Sequence, residues 1–114
     1  MTFQPDRGLE QEDVDERVET AIDENDVVLF MKGTEIMPQC GYSQRALELI
    51  GKHRDEYETV DTLESLEEYR NALSEHSGWE TIPQTFVEGE FVGGSDVLAE
   101  LDERGELSET LAGE

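Results

Sequence analysis

An α/β fold, built on a four-stranded mixed sheet flanked by helices, is predicted by three features of this sequence. The run Asp26-Val27-Val28-Leu29-Phe30-Met31 is apolar over the length of a buried strand. A helical pattern over residues 41–53 and the alternating stretch Tyr57-Glu58-Thr59-Val60-Asp61 follow it, and two strands flanking a helix make a parallel βαβ unit. Further on, Gln84–Glu88 and Glu90–Val92, hinged at Gly89, read as an antiparallel hairpin. At 114 residues the chain is expected to form one domain around a modest core.

Each element has its own sequence reason. Met1 to Gly8 carry Pro5 and Gly8 without periodicity and are expected to form a disordered lead-in. Val14, Val18, Ala21 and Ile22 recur at helical spacing among acids, predicting an amphipathic helix over about 9–25. A loop joins the strand at 26–31 to the helix at 41–53. After the second strand, Leu66, Tyr69 and Leu73 share one face of a helix over 63–76, with Arg70 one step off that face. Gly93-Gly94 ends the hairpin, and Ser95 or Asp96 is placed to cap a last helix running to about Arg104. The domain is drawn at 9–105, with 106–114 as a partly helical tail. No internal repeat or low-complexity linker interrupts this order.

The loop Lys32-Gly33-Thr34-Glu35-Ile36-Met37-Pro38-Gln39-Cys40 delivers the only cysteine of the chain to a predicted helix N-terminus. Unpaired amides and the helix dipole there favour an anion, which shifts a thiol towards thiolate, the form that attacks disulfides and binds metal. Lys32, at the strand end, can add to that field. Alternatively, Cys40 is a small buried hydrophobe, but Gln39, Gly41 and Ser43 around it are not apolar. A single cysteine leaves no disulfide partner and no resolving thiol within the chain, so any disulfide or metal site at Cys40 borrows its other groups from outside.

Composition narrows the partners. With 8 Lys and Arg against 30 Asp and Glu, the formal charge is −22, which argues against nucleic acid or an anionic membrane as partner. Such an excess suits a halophilic source, where molar salt screens self-repulsion, and predicts marginal folding at low salt. No stretch has membrane-spanning apolar length, and the acidic N-terminus lacks signal-peptide features, so a soluble cytoplasmic protein is expected. Between Lys32 and Arg54, however, the bases Lys32, Arg45, Lys52 and Arg54 outnumber Glu35 and Glu48, giving a local +2. Stabilising a thiolate and holding a small anionic thiol would account for that window; solvated helix-surface positions are the plainer alternative for the last three bases.

Met31-Lys32-Gly33-Thr34, Pro38-Gln39-Cys40-Gly41-Tyr42-Ser43, Thr81-Ile82-Pro83-Gln84 and Gly93-Gly94-Ser95-Asp96 occur in the order of the signature segments of the monothiol glutaredoxins, which this chain resembles over residues 27–101. The resemblance implies a thioredoxin fold. The family's usual motif is Cys-Gly-Phe-Ser; Tyr42 keeps the aromatic ring and adds a hydroxyl. By resemblance, Pro83 is the cis-proline beside the active cysteine, freeing the backbone of Ile82 to pair with a bound peptide. The same resemblance assigns Lys32, Tyr42, Arg70, Ile82, Gly94, Ser95 and Asp96 to a groove for glutathione or a related γ-glutamyl thiol such as γ-glutamylcysteine. Lys32 and Arg70 would pair a terminal carboxylate, and the Ser95 and Asp96 amides would take the γ-glutamyl carboxylate. Three positions depart from the family pattern: Glu35 and Glu80 where Pro is usual, and Ser95 where Cys is frequent.

His53 and His76 have no spacing that converges with Cys40 on a metal and are read as helix C-terminal residues. Trp79 is expected to pack against the proline loop, with a surface recognition residue as the alternative reading. A cysteine hydrolase lacks a visible oxyanion loop or third member. Three functions therefore stand. The resemblance implies a carrier of a [2Fe–2S] cluster, with Cys40 as metal ligand, two protomers and two small thiols completing the four ligands, apo iron–sulfur proteins as recipients, and a homodimer only when loaded. The alternative is an oxidoreductase in which Cys40 removes small-thiol adducts from protein cysteines. A module sensing cluster or redox state for a partner would use the same residues.

Overall fold

The structure, a computed structural model, describes residues 9–113; the lead-in expected over Met1 to Gly8 lies outside the described residues. β1 (Val27–Met31) runs through the middle of a sheet of order β2-β1-β3-β4, parallel to β2 (Glu58–Asp61) and antiparallel to β3 (Gln84–Val87). β3 turns back antiparallel into β4 (Glu90–Gly93) through Glu88 and Gly89, both at positive φ, as a two-residue primed turn requires. The mixed sheet matches the sequence expectation.

Helices cover both faces. α1 (Gln11–Glu24) and α3 (Leu66–Ser77) lie on one, and α2 (Gly41–His53), α4 (Ser95–Glu103) and α5 (Leu107–Leu111) on the other. β1 divides its side chains between the two layers. Val28 and Phe30 join Val14, Val18, Tyr69, Leu73 and Phe86, whereas Val27, Leu29 and Met31 join Ala46, Ile50, Leu98 and Leu107. A strand covered on both faces has no polar side, which is why its sequence is unbroken apolar rather than alternating.

Three details depart from the sequence reading. Gly94, not Ser95 or Asp96, occupies the cap of α4, and no side chain closes that helix end. Leu107 and Leu111, expected in a tail, are only 1% and 2% exposed and fill the second core. Trp79 is 59% exposed instead of packed on the proline loop; its carbonyl, accepting from Gln84 Nε2 at 2.8 Å, is what anchors that segment. The buried amide side chain of Gln84 also donates to the Thr81 carbonyl, so it holds the chain entering β3 from beneath.

Two of the four bases of the basic window, Lys52 and Arg54, are structural. Lys52 Nζ and His53 Nε2 at the end of α2 both reach Asp102 on α4, at 2.5 and 2.7 Å. Arg54 donates to the Leu111 carbonyl at 3.1 Å and pairs with Asp26. These cations tie α2 to α4 and α5, and none is among the groups that act on the Cys40 thiol. Among the described residues, no helix is long and apolar enough to cross a membrane.

Candidate thiol site

The parallel β1–β2 pair and the antiparallel β3 bring the C-terminal ends of β1 and β2 and the loop before β3 to one end of the sheet. Loop 32–40 crosses that end and is clipped shut by its own backbone. Gln39 N donates to Lys32 O at 2.9 Å, and Thr34 N to Met37 O at 3.2 Å. Asp61 Oδ1, from the end of β2, accepts from the Gly33 and Leu63 amides, both at 3.0 Å. Gly33 has φ +93°, and a β-carbon there would stand 2.6 Å from both Gln39 N and Met37 O. Only glycine lets the two arms of the loop approach so closely.

Cys40 emerges from this clip at the cap position of α2, part-exposed, with extended backbone and its carbonyl accepting from Gln44 N at 2.9 Å. Burial by itself pushes the thiol up, but the Ser43 and Tyr42 amides, the Ser43 hydroxyl and the Lys32 charge together bring it below the ordinary thiol value. Ser43 is fully buried, and its Oγ accepts from the Lys32 amide at 3.0 Å. The hydroxyl thus fastens the end of β1 to the first turn of α2, and the sulfur sits between the two. A thiolate is the natural cap for a helix end that no other side chain closes.

Beside the sulfur lies a groove of about 590 Å³. Lys32 and Arg70 line it, Tyr42 borders it, and Ile82 and Pro83, joined by a cis peptide bond, face it along with Gly94, Ser95 and Asp96. A side chain on Gly94 would crowd the Pro83 carbonyl, at 3.1 Å. The structure therefore brings every sequence-predicted groove residue together. It adds Thr81, which no sequence feature singled out beyond its place before Ile82-Pro83. Arg70 Nη1 is held at 2.9 Å by Glu67 Oε1 on the same helix, leaving its other donors for a ligand. Glu35 and Glu80 do not line the groove. A larger cavity of about 740 Å³, walled by Asp13, Glu16, Glu24 and Glu58 along α1 and β2, lies away from the thiol.

Chemically, the arrangement offers one nucleophilic or metal-ligating sulfur and a groove with cations on one side. The uncapped α4 N-terminus, suited to an anion, lies on the groove as well. Among the described residues, no cluster of three or more His, Cys, Asp or Glu could hold a metal ion. A metal bound through Cys40 would need ligands from other molecules.

Residues 27–92 match the glutaredoxin family. The chain is similar to an uncharacterized monothiol glutaredoxin, ycf64, of Porphyra purpurea, with 48% identity over 90 residues covering 79% of this chain and 83% of that protein. It is 45% identical over 95 residues to a ycf64-like uncharacterized monothiol glutaredoxin from a Synechocystis strain, covering 83% and 88% of the two chains. The solution structure of reduced apo GrxS14 from poplar superposes with a TM-score of 0.73 at 39% identity, over 85% of this chain and 88% of that one. With one cysteine at the cap of α2 and Tyr42 in the aromatic position of the motif, the chain belongs to the glutaredoxin family, in its monothiol branch.

Proposed function

We propose that this protein carries a [2Fe–2S] cluster, bridged between two protomers through Cys40 of each and completed by two γ-glutamyl thiols, glutathione or γ-glutamylcysteine, seated in the two grooves. The observation that carries this reading is a lone part-exposed thiol, biased towards thiolate and bordering a groove sized for a small peptide thiol. Four cluster ligands from one sulfur per chain require that stoichiometry. Lys32 and Arg70 hold the terminal carboxylate of the thiol, the Ser95 and Asp96 amides take its γ-glutamyl carboxylate, and Asp96 accepts from its ammonium. Ile82 pairs its backbone. The cluster is cargo, held partly by exchangeable thiols, which suits delivery to apo iron–sulfur proteins in the cytoplasm.

A second reading uses the same sulfur. The Cys40 thiolate attacks the small-thiol sulfur of a protein mixed disulfide, forming a Cys40–small-thiol disulfide and releasing the protein thiolate. A second small thiol then attacks the small-thiol sulfur of that adduct, so the small-thiol disulfide leaves and the Cys40 thiolate is restored. The lowered thiol pKa favours this chemistry at neutral pH.

Anaerobic reconstitution with iron, sulfide and each γ-glutamyl thiol in high salt, followed by visible absorption, circular dichroism and sizing, separates the two. A thiol-dependent chromophore in a dimer, lost in Cys40→Ser, is expected. A colourless monomer under every thiol overturns the carrier reading and leaves exchange.

A further inference from the structure

Among the described residues, the large hydrophobic side chains left exposed are Ile36, Met37, Tyr42, Leu63 and Trp79. All five stand on segments that emerge at the thiol end of the sheet: the loop after β1, the start of α2, the turn after β2 and the loop before β3. Among the described residues, the opposite end has none. Ile36 is 86% exposed and Met37 64%, at the tip of the clipped loop, so the collar is carried by a backbone that is already ordered. A chain with −22 charge and a third of its residues ionisable has ample polar surface with which to cover this end. Exposed apolar groups gathered on one face mark an interaction surface.

The collar also carries charge in a fixed pattern. Glu35 precedes Ile36, Glu64 follows Leu63 and Glu80 follows Trp79, and all three acids are exposed. None of these acids lines the groove, so Glu35 and Glu80 act on whatever approaches the groove and leave the bound small thiol alone. A second copy of this chain brings like charge to that rim and gains nothing from it; in a loaded dimer the cluster itself holds the protomers. An apolar segment flanked by cations satisfies both elements of the pattern.

We propose that the collar is the docking surface for a client protein whose reacting cysteine lies in an apolar segment flanked by Lys or Arg. This rests on the accessible Cys40 thiolate proposed above. The apolar neighbours of the client cysteine cover Ile36, Met37 and Trp79, its cations meet Glu35, Glu64 and Glu80, and its sulfur is thereby set over Cys40.

The test is the single-turnover attack of Cys40 on pyridyl disulfides, in which the thiolate displaces pyridinethione and forms a mixed disulfide, read by absorbance. Three probes are compared: the pyridyl disulfides of Lys-Leu-Cys-Leu-Lys, of Glu-Leu-Cys-Leu-Glu and of mercaptoethanol. The Lys peptide is expected to react about tenfold faster than the Glu peptide. An Ile36→Ser/Met37→Ser double variant and Trp79→Ser should each reduce the Lys-peptide rate by about fivefold or more while leaving the mercaptoethanol probe within about twofold of the parent. Collar variants that leave the Lys-peptide rate unchanged, or that slow the small probe equally, overturn the proposal while the thiolate reading stands. Apo dimers that the same variants dissociate would assign the collar to a second copy and overturn it as well. Failure of the parent protein to react with the mercaptoethanol probe sinks the accessible-thiolate reading itself, and the collar proposal falls with it.

Discussion

Replacing Gly33 with alanine puts the active-site clip under a load that can be worked from the structure. Backbone at φ +93° costs a residue with a β-carbon roughly 1–2 kcal/mol. That β-carbon would also stand 2.6 Å from two main-chain atoms, Gln39 N and Met37 O, on the facing arm of the loop. Neither can move aside as a side-chain tip would. The arms must separate, which breaks the Gln39-to-Lys32 bond and adds about 1 kcal/mol. We expect Gly33→Ala to lose about 2–3 kcal/mol in urea unfolding at high salt. Because residue 39 carries Cys40 with it, the sulfur should also drift from the Ser43 and Tyr42 amides. An ultraviolet titration of the thiolate should then show the Cys40 pKa moving up towards the ordinary thiol value. A variant with the parent unfolding midpoint and the parent thiol titration would refute the assignment of Gly33 as the residue that shapes the clip.

Lys32→Gln removes the smallest of the named influences that lower the Cys40 pKa. Alkylation of the thiol near neutrality should slow by only about two- to threefold, with the rate–pH profile displaced to the alkaline side. Asp102 is held below the usual carboxylate range by its hydrogen bonds from Lys52 and His53. Its folded-state pKa is depressed, so its stabilisation is present above the unfolded carboxylate pKa and is lost as pH falls through the folded value. Asp102→Asn should therefore flatten the dependence of the urea midpoint on pH in that acidic window and lower the midpoint above it. Leu107→Ala empties a side chain that is 1% exposed and should cost about 2–4 kcal/mol; a value near zero in the same urea assay would show that α5 adds nothing to the second core.

Much of the fold was legible because its central element is extreme. An unbroken apolar run of only five residues at 27–31, rich in Val and Phe, reads as a strand covered on both faces, and the spacing of Val14, Val18 and Ile22, or of Tyr69 and Leu73, marks the faces that do the covering. Cys40 at a helix start followed from the change of period at residue 41. The groove residues were legible only through the resemblance, since nothing in their local spacing relates Lys32 to Arg70 or to Asp96.

Other features depend on packing that no local pattern encodes. Leu107 and Leu111 lie in a short acidic stretch with too few apolar residues to announce a core element, yet α5 closes the second core with them. Trp79 looks like a core residue by composition, but the buried Gln84 side chain anchors its carbonyl and leaves the residue exposed. Lys52 and Arg54 looked like part of a thiol-directed basic window, and His53 like a plain helix C-terminal residue; only the return of α4 and α5 across α2 supplies the carboxylate and carbonyl that occupy them. Short-range periodicity and helix-end electrostatics are enough to place the central strand, the order of helices and strands, and a lone cysteine at a helix start. Packing across the sheet settles which charges act on the thiol, which acids stand outside the groove, and that the large exposed hydrophobic residues of the described chain stand on segments at the Cys40 end of the sheet. Those relations join positions distant in sequence, and only strand pairing sets the distances between them.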